Sequence, residues 1–198
     1  MNKQFATALL LLALGTGAAP LAHAQMGGQA KADQKPTYGG IFDRNLSRVE
    51  KEVVDAADAM PEDKFNFAPA TSLGEFKGVR TFAQQVKHIA TANYMLGSGV
   101  LGEKPPMNLE GENGPANITS KADIMKFLKD SFAYAHKAAQ SMTEANSTDM
   151  LQSPFGSNKV SRLGLALGLV AHPFDHYGQM VVYLRMNGII PPASRGQQ

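Results

Sequence analysis

Two histidines four residues apart, His172 and His176, stand in the segment AHPFDHYGQ at positions 171 to 179. On an α-helix that spacing stacks both imidazoles on one face, where they can share a metal ion. Leu165, Leu169, Met180 and Tyr183 fall in the same helical column, which puts the pair on the inward side. The chain has no cysteine. Thiol nucleophiles, CxxC redox chemistry and Cys-ligated zinc are therefore excluded, and His, Asp and Glu are the remaining metal ligands.

A third ligand must come from another element, with His88, His136 and the carboxylates as candidates. His88 lies in VKHIAT, at roughly 125° from the centre of its segment's apolar stripe at 100° per residue. Gln85, Ala92 and Met95 share its column and could form a second, less apolar inward face. His136 sits between Ala135 and Lys137, with Lys129 and Gln140 near its column, and reads as a half-exposed residue outside any site. A site completed by a third neutral imidazole would leave coordination positions open to solvent or substrate, the pattern of catalytic rather than closed structural sites. Asp175 and Gln179 flank the ligand column and are candidates to orient a histidine by hydrogen bonding.

Four amphipathic segments are available to position these groups. Phe42, Leu46, Val49, Val53, Ala57 and Met60 recur at spacings of three and four, predicting a helix that stops near Pro61. A second segment carries Val79, Phe82, Val86, Ile89, Leu96 and Val100 and should end around Gly102. A third opens at Ser120 as N-cap and faces Ile124, Phe127, Leu128, Ala135, Ala138 and Met142 inward. The fourth runs from about Lys159 to Asn187, ended by Gly188 and Pro191-Pro192. No run alternates with period two for long enough to argue a strand. The expected fold is all-α, an antiparallel four-helix bundle. Pro173 falls inside the fourth helix, where it frees the carbonyl of Leu169 and should kink or restart the helix beside His172. Between the second and third segments, Gly102 to Ser120 holds Pro105, Pro106, Gly111, Gly114 and Pro115 and reads as a long irregular loop, either a lid over a site or a surface insertion.

The N-terminus reads as a leader. Lys3, the apolar run from Phe5 to Leu14 and Ala22-His23-Ala24 make residues 1–24 a secretory signal peptide, cleaved before Gln25. The run is broken by Gly15, Gly17 and Pro20 before it reaches the length of a membrane span. Residues 25–37 read as a flexible linker, 38–192 as the bundle domain and 193–198 as a C-terminal tail. With 19 Lys plus Arg against 17 Asp plus Glu, and no basic cluster with interleaved aromatics, nucleic acid is not an expected partner.

The stretches TFAQQVKHIATANYML (81–96) and HPFDHYGQMVVYLRMNGIIPP (172–192) resemble the DinB/YfiT-like metalloenzyme family over roughly Phe42 to Pro192. The resemblance implies a four-helix bundle with a histidine on the second helix and an HxxxH pair on the last, so that His88, His172 and His176 fall on the family's metal triad. It implies a divalent transition metal, zinc or nickel before iron or manganese. The function expected is that of an exported metal-dependent hydrolase or transferase with an unknown small-molecule substrate. The alternative is a non-catalytic exported metal-binding or structural bundle. Relatives are associated with transfer of cytosolic low-molecular-weight thiols, a pool that an exported protein does not meet. The other expected partner is a second copy of the chain in a homodimer, with no stable membrane span after cleavage.

Overall fold

In the computed structural model, residues 35–196 are described. The leader expected at 1–24 and residues 25–34 of the expected linker lie outside them. Four helices carry the fold: α1 (Tyr38–Ala59), α2 (Phe82–Leu101), α3 (Lys121–Gln140) and α4 (Arg162–Met186). Each begins at a hydroxyl cap, Thr37, Thr81, Ser120 and Ser161, whose side chain accepts a first-turn N–H. Such a cap contributes about 1 kcal/mol against alanine. Short 3-10 turns at Glu62–Lys64, Thr71–Leu73 and Pro192–Ser194 complete the connections. The last of these packs on α1 within the expected tail. Among the described residues, no helix is long and apolar enough to cross a membrane.

The all-α bundle expected from the periodicity is present, with two corrections in its last connection. A hairpin of β1 (Met150–Gln152) and β2 (Lys159–Ser161) pairs antiparallel, Leu151 opposite Val160. Three-residue strands are too short for their alternation to register in a sequence window. Lys159 therefore belongs to β2, and α4 starts at Arg162 behind its Ser161 cap.

Helix directions follow from contacts at the ends. Lys121 Nζ, at the start of α3, donates to the carbonyls of Asp58 and Met60 at the end of α1, and Gly39 N donates to Met142 O at the opposite end. These two helices are antiparallel. Gln85 meets Gln179 near one end of α2 and α4, and Arg162 donates to Val100 O at the other, so that pair is antiparallel too. Against the expected antiparallel order, α2 and α3 run the same way: Tyr94 packs on Phe127 and Tyr134, and Asn93 bonds Ser131. A parallel pair of neighbours obliges the chain to travel back along α2 before α3 can begin. The loop from Gly102 to Ser120 makes that return.

α1 and α3 are also joined by charge. His136 Nδ1 meets Asp43 Oδ1 at 2.7 Å and its Nε2 meets Glu50 Oε2 at 2.9 Å. Both carboxylates only accept, so the bridging species is the imidazolium. Gln140 Nε2 also donates to Asp43 Oδ1, and Lys129 shares a surface groove with Glu50. Burial would lower the His136 pKa, but Glu50 and Asp43 outweigh it and raise the value above 6.5. A folded-state pKa above the unfolded one contributes stability that is fully present below about pH 6.5 and is lost as pH rises through the folded value. His136→Gln should therefore lower the thermal midpoint at pH 6 and change it little at pH 9. Equal losses at both pH values would show that the imidazolium is not the bridge.

Candidate metal centre

The start of α2 is fixed by a reciprocal box in which Gln84 N donates to Thr81 Oγ1 and Thr81 N donates to Gln84 Oε1. One turn further on, Gln85 and His88 face α4. Helix α2 packs against both α3 and α4, so it buries two faces. Gln85 is 2% and Ala92 3% exposed. His88 thus points inward although it lies far from the main apolar stripe.

α4 is continuous through the buried Pro173 and keeps His172 and His176 on one face, their ring centroids 4.5 Å apart and their planes inclined at 61°. The His88 ring stands across from them at 5.0 and 4.7 Å. One ligand nitrogen from each ring lies within 4.8 Å of the other two, and His88 Nε2 is 3.2 Å from His172 Nε2. Ligand nitrogens on a tetrahedral ion with bonds of 2.0–2.1 Å stand about 3.3 Å apart.

Hydrogen bonding sets which nitrogen of each ring faces the centre. His88 Nδ1 lies 2.7 Å from the carbonyl of Glu112, which only accepts, so Nδ1 carries the proton and Nε2 presents a lone pair. For His176 the same result is reached through three side chains. The Asp175 carboxylate accepts from Gln179 Nε2 at 3.3 Å. That turns Gln179 Oε1 toward Gln85, whose Nε2 donates to it at 2.8 Å. Gln85 Oε1 is left to accept from His176 Nδ1 at 2.7 Å. His176 Nε2 is therefore a lone pair as well. Metal-bound histidines are held in this way by an acceptor on the far nitrogen. His172 has no such acceptor: its buried Nδ1 lacks a hydrogen-bond partner among the described residues. Its Nε2 meets a lone pair on His88, an apposition satisfied either by a proton on His172 Nε2 or by a cation in its place.

Burial pushes the His172 and His176 pKa values down to about 4, with the neighbouring imidazoles adding to the effect. Burial also lowers that of His88, partly opposed by the Glu112 carbonyl. All three rings are neutral at pH 7 and so carry ligand lone pairs.

The carbonyl on His88 comes from the return loop. Arg80 Nη2 pairs with Glu112 Oε2 at 2.7 Å, Arg80 Nε donates to Asn113 Oδ1, and Lys87 Nζ donates to Pro115 O. Gly114 makes this approach feasible. Its φ is +70°, and a Cβ there would stand 2.9 Å from Thr91 Oγ1 and 3.0 Å from Phe127 Cε1. The loop thus folds back along α2 and reaches His88 through the Glu112 carbonyl.

The other residues fall as follows. His136 faces α1, away from the three histidines. Asp175 is exposed and hydrogen-bonds Gln179 rather than any imidazole, while its charge partly opposes the lowering of the His172 and His176 pKa values. Gln179 reaches His176 through Gln85. Tyr94 is a buried packing residue. Sequence reasoning did not single out Gln85 as a histidine partner, although its place in the His88 column was the available signal. The Glu112 carbonyl had no sequence signal, because any residue supplies one.

A family model described as the DinB superfamily matches residues 45–180. Among solved structures, a DinB-like protein from Bacillus cereus superposes with a TM-score of 0.61 at 21% identity, covering 80% of this chain and 98% of its own. A DinB-like protein from Bacillus subtilis gives 0.58 at 17% identity, covering 75% and 92%. These likenesses support the fold. No curated protein matches the chain.

Proposed function

The chain belongs to the DinB superfamily, and on that premise we propose that it is an exported protein holding one divalent transition metal ion through His88, His172 and His176, which acts on a small molecule as a metal-dependent hydrolase or transferase. The observation that carries this reading is the pair of Nε2 lone pairs, on His88 and His176, aimed at one point by acceptors on their far nitrogens. An all-imidazole donor set suits zinc or nickel, with iron or manganese as alternates. When bound, such an ion supplies Lewis acidity toward a substrate oxygen.

The protein's own groups do the positioning. Glu112 O and Gln85 Oε1 hold two rings in the ligating tautomer, and Pro173 keeps the His172 turn packed against the core. The catalytic reading is favoured over a metal staple by what already joins the ligand helices. Tyr183 donates to Arg80 O, Gln85 to Gln179 Oε1 and Arg162 to Val100 O between α2 and α4, so they need no ion to stay together. Export is supported by the composition of residues 1–24.

The test is metal analysis of untagged protein recovered from the extracytoplasmic fraction. One ion per chain is expected, on a polypeptide whose intact mass begins at Gln25, and after chelation the helical circular dichroism should persist. Absence of metal would overturn the reading, and unfolding on chelation would make the ion a structural staple.

A further inference from the structure

A concave pocket of about 570 Å³ opens beside the triad, bounded by Phe76, Val79, Arg80, Asn113, Gln179 and Val182, with Gln85 in its wall. Its size suits a small organic ligand. Arg80 is the only charged residue among those that line it.

The hydrogen-bond inventory of the wall is one-sided. Each of its side-chain amide oxygens already holds a donor. Asn113 Oδ1 accepts from Arg80 Nε, Gln84 Oε1 from Thr81 N, Gln85 Oε1 from His176 and Gln179 Oε1 from Gln85. The Tyr183 hydroxyl donates to Arg80 O. The donors are in surplus. Arg80 Nη1, Asn113 Nδ2 and Gln84 Nε2 have no hydrogen-bond partner among the described residues, and Gln179 uses one N–H of two. Glu112 takes only the Nη2 edge of the guanidinium, from outside the pocket wall. What such a wall can satisfy is a head that accepts several hydrogen bonds and carries negative charge, since a guanidinium edge matches a carboxylate in geometry as well as sign. Phe76, Val79 and Val182 offer the body of the ligand an apolar surface.

We propose that this pocket binds the carboxylate end of a small amphipathic carboxylic acid. The assignment names a substrate class for the function proposed above and rests on that reading for the link to reaction, though not for binding itself. Gln85 is the shared element: it lines the pocket and its Oε1 accepts from His176 Nδ1, so a ligand seated against it lies one side chain from the triad.

The test is a titration of the metal-free and the zinc-loaded full protein with 3-phenylpropanoate, followed by NMR of the valine methyls and glutamine side-chain amides. Saturable shifts are expected at Val79, Val182, Gln85 and Gln179 in both forms. 3-Phenylpropanamide, which lacks the charge, should bind about tenfold more weakly or less well still. Arg80→Gln should weaken the acid by a similar factor and leave the amide unchanged. Val182→Glu, which brings a like charge into the wall without touching the loop contacts of Arg80, should weaken both ligands and the acid more than the amide. Non-saturating shifts, equal binding of acid and amide, or a preference for inorganic phosphate would overturn the assignment. Binding in metal-free protein with no zinc uptake would uphold the pocket while refuting the metal centre, and zinc uptake without ligand shifts would do the reverse.

Discussion

His176→Ala, His172→Ala and His88→Ala should each reduce affinity for a divalent ion at least ~100-fold, since sites built from several protein ligands bind with about 10–16 kcal/mol in total and the loss of one is a sizeable share. His136→Ala should leave metal content unchanged, because that ring bridges Asp43 and Glu50 on the far side of α3. Competition with a chromophoric chelator gives the affinities. Thermal denaturation of the metal-free variants separates loss of ligation from loss of fold. Equal metal content in His176→Ala and His136→Ala would remove the triad as a site.

The second large effect is expected at a residue that touches no ion. Gln85→Leu preserves the buried volume but deletes the acceptor for His176 Nδ1–H and the donor to Gln179. Removal of the partner of a metal-bound histidine typically weakens binding about 10–100-fold. Gln85→Glu keeps an acceptor-only oxygen in place and should hold the ion at least as tightly as the native chain. The decisive reading is nitrogen NMR of His176 in metal-free protein. The native ring should be protonated at Nδ1, and Gln85→Leu should shift the population toward Nε2. An unchanged tautomer in that variant would reduce Gln85 to a packing residue.

Much of the bundle could be read from its residues. The Ser120 cap, the Gly102 stop and the three-and-four spacing of Phe42, Leu46, Val49 and Val53 each express a local rule, and local rules survive folding. The inward turn of His88 could not be read from periodicity, because a helix packed against two neighbours buries a second face that a single-stripe analysis counts as outside. Resemblance to known bundles, rather than the wheel, pointed to His88. Pro173 shows the opposite limit. Its local effect argues for a kink or a restart, yet α4 continues through it as one helix. The β1/β2 hairpin was too short to register, and the Glu112 carbonyl belongs to the backbone. Such partners become visible only when the return path of the loop is known.

The proposed ligand pair on α4 and the proposed ligand on α2 are separated by 84 residues between His88 and His172. An unfolded chain offers an ion only the local HxxxH pair, so the complete set of donors exists in the native state alone. Occupancy is then thermodynamically linked to folding. An ion held as proposed adds about 4 kcal/mol to the native state at a free concentration of about 1,000 times its dissociation constant. The melting temperature of the protein becomes a function of the metal activity in its compartment. For a cysteine-free chain without disulfides, that linkage is a route by which the surroundings set how long the fold endures.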